Sequence, residues 1–112
     1  MRSDEALLLD MLIAAQKIQG FVNTLSQQQF ERSELHQSAV IRELQVIGEA
    51  ARMISEQMKS AYPEIAWTII AGMRNRIIHE YFRIDLEILW DTIQADIPEL
   101  MQQLKPLIPP ET

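Results

Sequence analysis

The sequence has 112 residues, of which 47% are hydrophobic and 23% are charged, and its formal net charge is −6. This length suits a single folded domain over residues 1–112, and the composition excludes an intrinsically disordered chain. The absence of cysteine excludes disulfides and thiolate metal sites, and the acidic balance argues against a broad nucleic-acid-binding surface.

The N-terminal stretch indicates where the protein is located, and the positions of its two histidines indicate whether it binds a metal. The apolar stretch 7–15 is interrupted by Asp10 and follows acidic residues, whereas a signal peptide carries positive charge there. No apolar run approaches the roughly 20 residues that span a bilayer, so we expect a cytoplasmic protein without membrane association. His36 and His79 each lack a second histidine at metal-ligand spacing, so we expect no metal and no cofactor.

Apolar residues recur at helical spacing along most of the chain, which predicts an all-α protein. The first helix is predicted over 4–22, with Ser3 or Asp4 as its N-cap. The polar stretch 23–29 then ends this helix.

A second helix is predicted over 33–60, and it has two partly apolar faces. One face carries an apolar stripe made of Val40, Leu44, Ile47, Ala51, Ile54 and Met58. The other face is mixed and consists of Arg42, Val46, Glu49 and Met53. A helix with two such faces usually has two partners, and another subunit is a candidate for the second.

The remaining helices follow a break at Pro63, since proline disfavours helix in the residue before it. A third helix is predicted over 64–82, and a fourth begins near the N-cap Asp85. Pro98 either kinks the fourth helix or restarts it, and the chain is expected to be irregular after about residue 105. The predicted architecture is a compact bundle of four to five helices.

The third helix contains the residues of greatest chemical interest. Segment 73–83 holds three arginines, one glutamate and a histidine, so it is positive within an acidic chain. On a helical projection Arg74 falls in the middle of the apolar face, where a guanidinium must be paired or reach a wet cavity. Asn75 and His79 fall one turn apart beside that face. Gly72 lies on the same flank and leaves backbone exposed.

Each of these residues also has a structural interpretation. His79 on a helix flank can be purely structural, and Arg74 can form a buried ion pair with Glu49. Arg76 points towards solvent, where a pair with the acidic residue four positions later would contribute only a few tenths of a kcal/mol. Tyr81 on an apolar face can be an ordinary core residue. Taken singly, none of them establishes a function.

Taken together, residues 74–81 read Arg-Asn-Arg-Ile-Ile-His-Glu-Tyr, with arginine and histidine separated by four residues and tyrosine two residues after the histidine. This pattern resembles the signature of the HEPN ribonucleases, and specifically of the HepT toxins. The similarity extends from about residue 7 to residue 104 and includes Ile47-Gly48-Glu49-Ala50-Ala51, Trp67, Ala71-Gly72-Met73, Asp85 and Trp90.

The resemblance implies a metal-independent endoribonuclease that acts on RNA as the toxin of a bacterial toxin–antitoxin pair. In that chemistry the 2′-hydroxyl of RNA is the nucleophile, and His79 is suited to proton transfer because imidazole titrates near neutral pH. Arg74 would stabilise the phosphate in the transition state, and Asn75 would orient His79 or the phosphate. Glu49, Arg76 and Gly72 are candidates for supporting roles.

The resemblance also implies two partners. A two-fold homodimer would bring two copies of the motif helix together and form one composite cleft. A nucleotidyltransferase antitoxin of the MntA type would transfer AMP to Tyr81, and the anionic adduct would repel RNA. Two other interpretations stay open: a catalytically weak HEPN scaffold or nucleotide-binding partner of the nucleotidyltransferase, and a purely structural dimerisation protein.

Overall fold

The computed structural model describes residues 2–79 and 83–109, and its two longest elements are the helices α1 (Asp4–Val22) and α3 (Glu34–Met53). Each helix begins at a serine N-cap, because the hydroxyls of Ser3 and Ser33 accept hydrogen bonds from backbone amides three residues further on. The predicted first helix and its cap at Ser3 are confirmed. The two long helices pack against each other and form the frame of the molecule.

Between them lies a short helix, α2 (Gln27–Glu31), where the sequence predicted only a polar connection. It is stabilised by a capping box, in which Ser26 and Gln29 each accept the other's backbone amide hydrogen. Its one buried residue, Phe30, packs against Trp90, with the ring centroids 5.5 Å apart. This contact joins α2 to the C-terminal part of the bundle.

The second predicted helix, 33–60, is in fact two helices, so that prediction was wrong in the region of Ile54. There the backbone is extended, and α4 (Glu56–Ala61) begins after Ser55. The carboxylate of Asp4 accepts hydrogen bonds from both the amide and the hydroxyl of Ser55, at 3.0 and 2.6 Å. A tertiary contact with the start of α1 therefore fixes a break that the apolar spacing does not reveal.

The third predicted helix, 64–82, is also shorter and divided. It consists of α5 (Trp67–Ala71) and α6 (Met73–Ile77), which meet at Gly72. After α6 the chain is extended and pairs with the strand-like segment before the next helix through a single antiparallel bridge. The prediction that one helix carries both Arg74 and His79 was therefore wrong.

The C-terminal part of the bundle runs through α7 (Leu86–Asp91) and α8 (Ile97–Leu104), with a π-helical turn over Thr92–Asp96 between them. Pro98 was predicted to kink or restart the fourth helix. It lies in the first turn of α8, but the Asp96 side chain makes no cap and the backbone stays helical through the wider turn. A 3₁₀ turn, Lys105–Leu107, follows α8.

The helices enclose one apolar core, and the predicted all-α class and compact bundle are confirmed for the described residues. α1 packs on α3 and on α8, while α3 also contacts α5 and α6. The largest apolar side chains that are fully buried are Leu8, Met11, Ile18, Phe30, Leu44, Ile47, Ile77, Leu89, Ile97 and Leu104. In the part of the chain that the structure describes, no helix has the length and apolar character needed to cross a bilayer.

Candidate active site

A close approach between α3 and α5 positions the motif segment. At Gly48 a methyl group would lie only 3.0 Å from the carbonyl oxygen of Ala71, so glycine allows the two helices to meet here. Ala71 is the last residue of α5. The start of α6 is therefore held beside the last two turns of α3.

A cleft opens at this junction, with a cavity volume of about 160 Å³. It is predominantly polar, and both helices contribute to it. Its lining residues are Leu44, Gln45, Gly48, Glu49 and Arg52 from α3, and Ala71, Arg74 and Asn75 from the α5–α6 segment. The structure thus brings together three residues singled out from the sequence: Arg74, Asn75 and Glu49.

Arg74 is half-buried in this cleft rather than enclosed in the core. Its Nε is buried without a hydrogen-bond partner in the described part of the chain, and its Nη1 donates to the side-chain oxygen of Asn75 at 3.5 Å. Among the described residues no ion pair joins Arg74 to Glu49, so that structural interpretation is wrong for this protomer. A buried donor without a partner costs free energy, which a ligand accepting its hydrogen bond would recover.

The two other supporting candidates lie elsewhere. Arg76 faces a different surface, where its Nη2 lies 3.9 Å from a carboxylate oxygen of Asp96, and it does not line the cleft. Gly72 forms the junction of α5 and α6 and is also absent from the lining. A methyl group there would make only ordinary contacts, the nearest at 3.6 Å to Thr68, so space does not require glycine.

His79 lies in the extended segment after α6, and 56% of its side chain is exposed. Its amide donates to the carbonyl of Arg83 at 2.8 Å, and the amide of Asp85 donates to the carbonyl of Ile77 at 2.7 Å. These bonds lie on either side of the Ile78–Ile84 bridge and hold the two extended segments together. They place the His79 Nε2 at 3.7 Å from a carboxylate oxygen of Asp85, but they do not place His79 in the cleft of Arg74.

Comparison with known proteins bears directly on this motif. The family described as "Ribonuclease HepT-like" matches residues 11–107, which include the whole motif and all residues of the cleft. The chain belongs to the HepT-like ribonuclease family.

Several relatives of this HepT-like chain are similar over nearly its full length. A protein of Thermococcus cleftensis, named as a probable ribonuclease HepT, is 38% identical over 95% of this chain and 96% of its own. A protein of Methanocaldococcus jannaschii, named as a putative RNase, is 33% identical over 93% of this chain and 95% of its own. No solved structure matches the chain.

Within the HepT-like motif, Tyr81 lies outside the described residues, so its predicted role stays a prediction. Sequence reasoning passed over Arg52 and Gln45, although they share one face of α3 with Gly48 and Glu49 through the spacing i, i+3, i+4, i+7. It identified Asp85 as a helix cap and as part of the family resemblance, but not as a neighbour of His79. The proximity of Asp85 to His79 depends on the bridge, which the sequence pattern did not predict.

Proposed function

We propose that this chain is the toxin of a toxin–antitoxin pair, an endoribonuclease that cleaves RNA without a metal ion in the composite site of a homodimer. The observation that carries the proposal is the Arg74 guanidinium, which lies in a polar cleft with a buried N–H that no described residue accepts. Planar guanidinium donors match the geometry of phosphate oxygens. Family membership supports the ribonuclease assignment.

The chemistry uses RNA's own 2′-hydroxyl. A base removes its proton, the 2′-oxygen attacks the neighbouring phosphorus, and the bond from phosphorus to the 5′-oxygen breaks. An acid returns a proton to that 5′-oxygen, so the products are a 2′,3′-cyclic phosphate and a 5′-hydroxyl. His79 performs proton transfer, Arg74 stabilises the charge on the phosphate oxygens, and Asn75 orients the phosphate beside Arg74.

A second protomer completes the site in this proposal. One chain supplies one motif histidine, and His79 does not line the cleft of its own Arg74. Support for a partner comes from the outer face of α3, where Arg42 and Glu49 are exposed and Met53 is 56% exposed. A two-fold axis beside this face would bring the two motif segments into one groove.

Regulation forms a separate part of the proposal. A nucleotidyltransferase antitoxin transfers AMP to the hydroxyl of Tyr81, two residues after His79, and the added phosphate repels RNA from the groove. The position of Tyr81 in the motif is the support for this step. The acidic character of the chain suits contact with a protein partner better than with RNA.

RNA cleavage in the presence of EDTA tests the nuclease. We expect wild-type protein to cut RNA and to leave cyclic phosphate ends, and we expect Arg74→Ala or His79→Ala to reduce the rate by about a hundredfold or more. The matched control is Arg32→Ala, because Arg32 is exposed and is the C-cap of α2, before the start of α3. Circular dichroism would show whether each variant is folded.

The position of His79 outside the Arg74 cleft favours one competing function, a catalytically weak scaffold for the nucleotidyltransferase. In that case folded wild-type protein leaves RNA intact whether or not EDTA is present. Activity that appears only with a divalent metal would contradict the metal-independent chemistry, but it would still support the ribonuclease assignment.

The modification is tested by the intact mass of protein co-expressed with a nucleotidyltransferase of the proposed MntA type. We expect increments of one or more AMP groups that disappear in Tyr81→Phe. Tyr62→Phe is the control, since Tyr62 lies at the end of α4, away from the motif, and should keep the increments. An unchanged wild-type mass would reject this part of the proposal.

A further inference from the structure

The cleft beside Arg74 contains a second guanidinium, that of Arg52. We propose that Arg52 binds a phosphate of the RNA backbone next to the scissile one, so that the cleft between α3 and α6 is a two-phosphate subsite. This inference rests on the proposed function. Arg52 lies outside the motif of residues 74–81, so it would contribute a substrate contact that the motif does not supply.

The geometry leaves Arg52 available for such a contact. Its Nη2 donates to the carbonyl of Ala71 at 3.1 Å, which anchors the side chain at the rim of the cleft. A guanidinium has five N–H donors, and this is the one hydrogen bond that Arg52 makes within the described part of the chain. Among the described residues no carboxylate lies within ion-pair distance of Arg52.

The charges in the cleft favour a polyanion. Arg52 and Arg74 contribute two positive charges and Glu49 one negative charge, so the cleft is net positive in a chain of net charge −6. Gln45 adds an uncharged amide that both donates and accepts hydrogen bonds. Such a set suits a ribose-phosphate backbone, with the amide or Glu49 meeting a hydroxyl or a base edge.

A purely structural role for Arg52 gives a different expectation. Ala71 ends α5, and an arginine that donates to its free carbonyl acts as a C-cap. A cap contributes to stability but does not change how RNA binding depends on salt. A phosphate contact does, because it releases condensed counterions when RNA binds.

The test measures binding of a short single-stranded RNA to His79→Ala protein between about 50 and 200 mM salt. Adding Arg52→Gln should weaken binding about tenfold at the low end. It should also make the slope of log K against log salt shallower by about 0.7, the loss of one phosphate contact. Glutamine keeps an N–H donor on a shorter side chain, and the melting temperature of this variant shows whether the cap on Ala71 is retained. Arg52→Lys keeps the charge and should keep the slope, and Arg32→Ala should change neither quantity.

Two outcomes overturn the inference, and they differ from each other. If wild-type protein cleaves RNA and Arg52→Gln leaves the slope unchanged while Arg74→Ala reduces it, only the second phosphate contact fails. If the His79→Ala protein binds no RNA at any salt concentration and the wild type cuts none, the proposed function fails with it.

An independent observation concerns Asp85, whose two carboxylate oxygens face different groups. Oδ1 accepts the amide of Ile88 at 3.0 Å and caps α7, while Oδ2 lies 3.7 Å from the Nε2 of His79. The Asp85 amide also donates a hydrogen bond to the carbonyl of Ile77, which fixes the backbone from which this side chain makes both contacts. We infer that Asp85 is a positioning residue that orients the imidazole of His79 and leaves Nδ1 to face the substrate.

The cap alone would explain Asp85 without any role in catalysis, and Asp85→Asn separates the two. Asparagine caps helices as well as aspartate does, so the melting temperature should not change, whereas the charge opposite His79 is lost. We expect kcat to fall about tenfold with KM nearly unchanged. In the His79→Ala background the same substitution should have no further effect on the residual rate.

The opposite results would contradict the role of Asp85. A normal kcat in a stable Asp85→Asn protein would leave the cap as its function. An equal loss in the presence and absence of His79 would show that Asp85 acts on something other than this imidazole. Either result would contradict only the role of Asp85, and the proposal that the wild type is a nuclease would stand.

Discussion

The paired helices α1 and α3 and the segment 67–85 are built in opposite ways. The pair is long, continuous and capped by serines, and its buried faces are mainly apolar, with Gln37 and Glu43 as polar exceptions in α3. In its described residues the segment has two one-turn helices and one bridge, and it presents exposed polar side chains together with a buried Nε that no described residue accepts. The difference indicates that the pair stabilises the fold, and it agrees with the proposed use of the segment's polar groups in binding RNA.

This contrast is tested most strongly in the core of the pair. Ile18 is fully buried in α1, so Ile18→Ala should lower the free energy of unfolding by about 2–5 kcal/mol through lost burial and an unfilled cavity. Chemical denaturation measures the change. Ile13→Ala on the same helix is the control, because Ile13 is 42% exposed and should cost much less. Similar losses at both positions would contradict the assignment of α1 as a core helix.

A medium effect is expected where the start of α1 is tied to α4. Ser55→Ala removes the N-cap of α4 and the hydroxyl bound by Asp4, so it should cost about 1–2 kcal/mol. Thermal or denaturant unfolding measures this loss. Ser26→Ala removes a comparable cap from the exposed helix α2 but no such tertiary bond, and it should cost less. Equal losses would show that the bond to Asp4 contributes little.

The smallest expected effect compares two glycines of the helix pair: Gly20, which faces open space, and Gly48, which faces the segment 67–85. Gly20 in α1 has open space around it, so Gly20→Ala should stabilise the protein by about 0.5–1 kcal/mol through helix propensity. Gly48→Ala should lack this gain, since the new methyl group meets the backbone of Ala71 at 3.0 Å. It should also weaken RNA binding by displacing the anchor of Arg52. An equal gain at both positions would show that α5 can move away without cost.

The sequence allowed the pair to be predicted more accurately than the segment, for physical reasons. α1 follows from local rules, with apolar residues at helical spacing and a serine before them. The break at Ile54 depends on Asp4, about fifty residues away, and no local rule contains it. The short α2 was missed even though its capping box, Ser26 with Gln29, can be recognised in the sequence.

The site was predictable in its residues but not in its geometry. The motif identified Arg74 and Asn75, which do meet in one cleft, and it identified His79, which does not join them within the protomer. A helical projection placed all three on one helix because nothing in the local pattern showed that α6 ends at Ile77. The bridge that turns His79 away pairs Ile78 with Ile84, and such pairing is not visible in helical periodicity.

The wide turn at Thr92–Asp96 has a consequence for how the two ends of the bundle depend on each other. α7 packs against α6, whereas α8 packs against α1. Each residue added to or removed from a helix rotates everything beyond it by about 100°. A deletion that restored regular α-helical winding here would turn Leu100 and Leu104 away from the core, so the two halves can keep their contacts only if this stretch keeps its length.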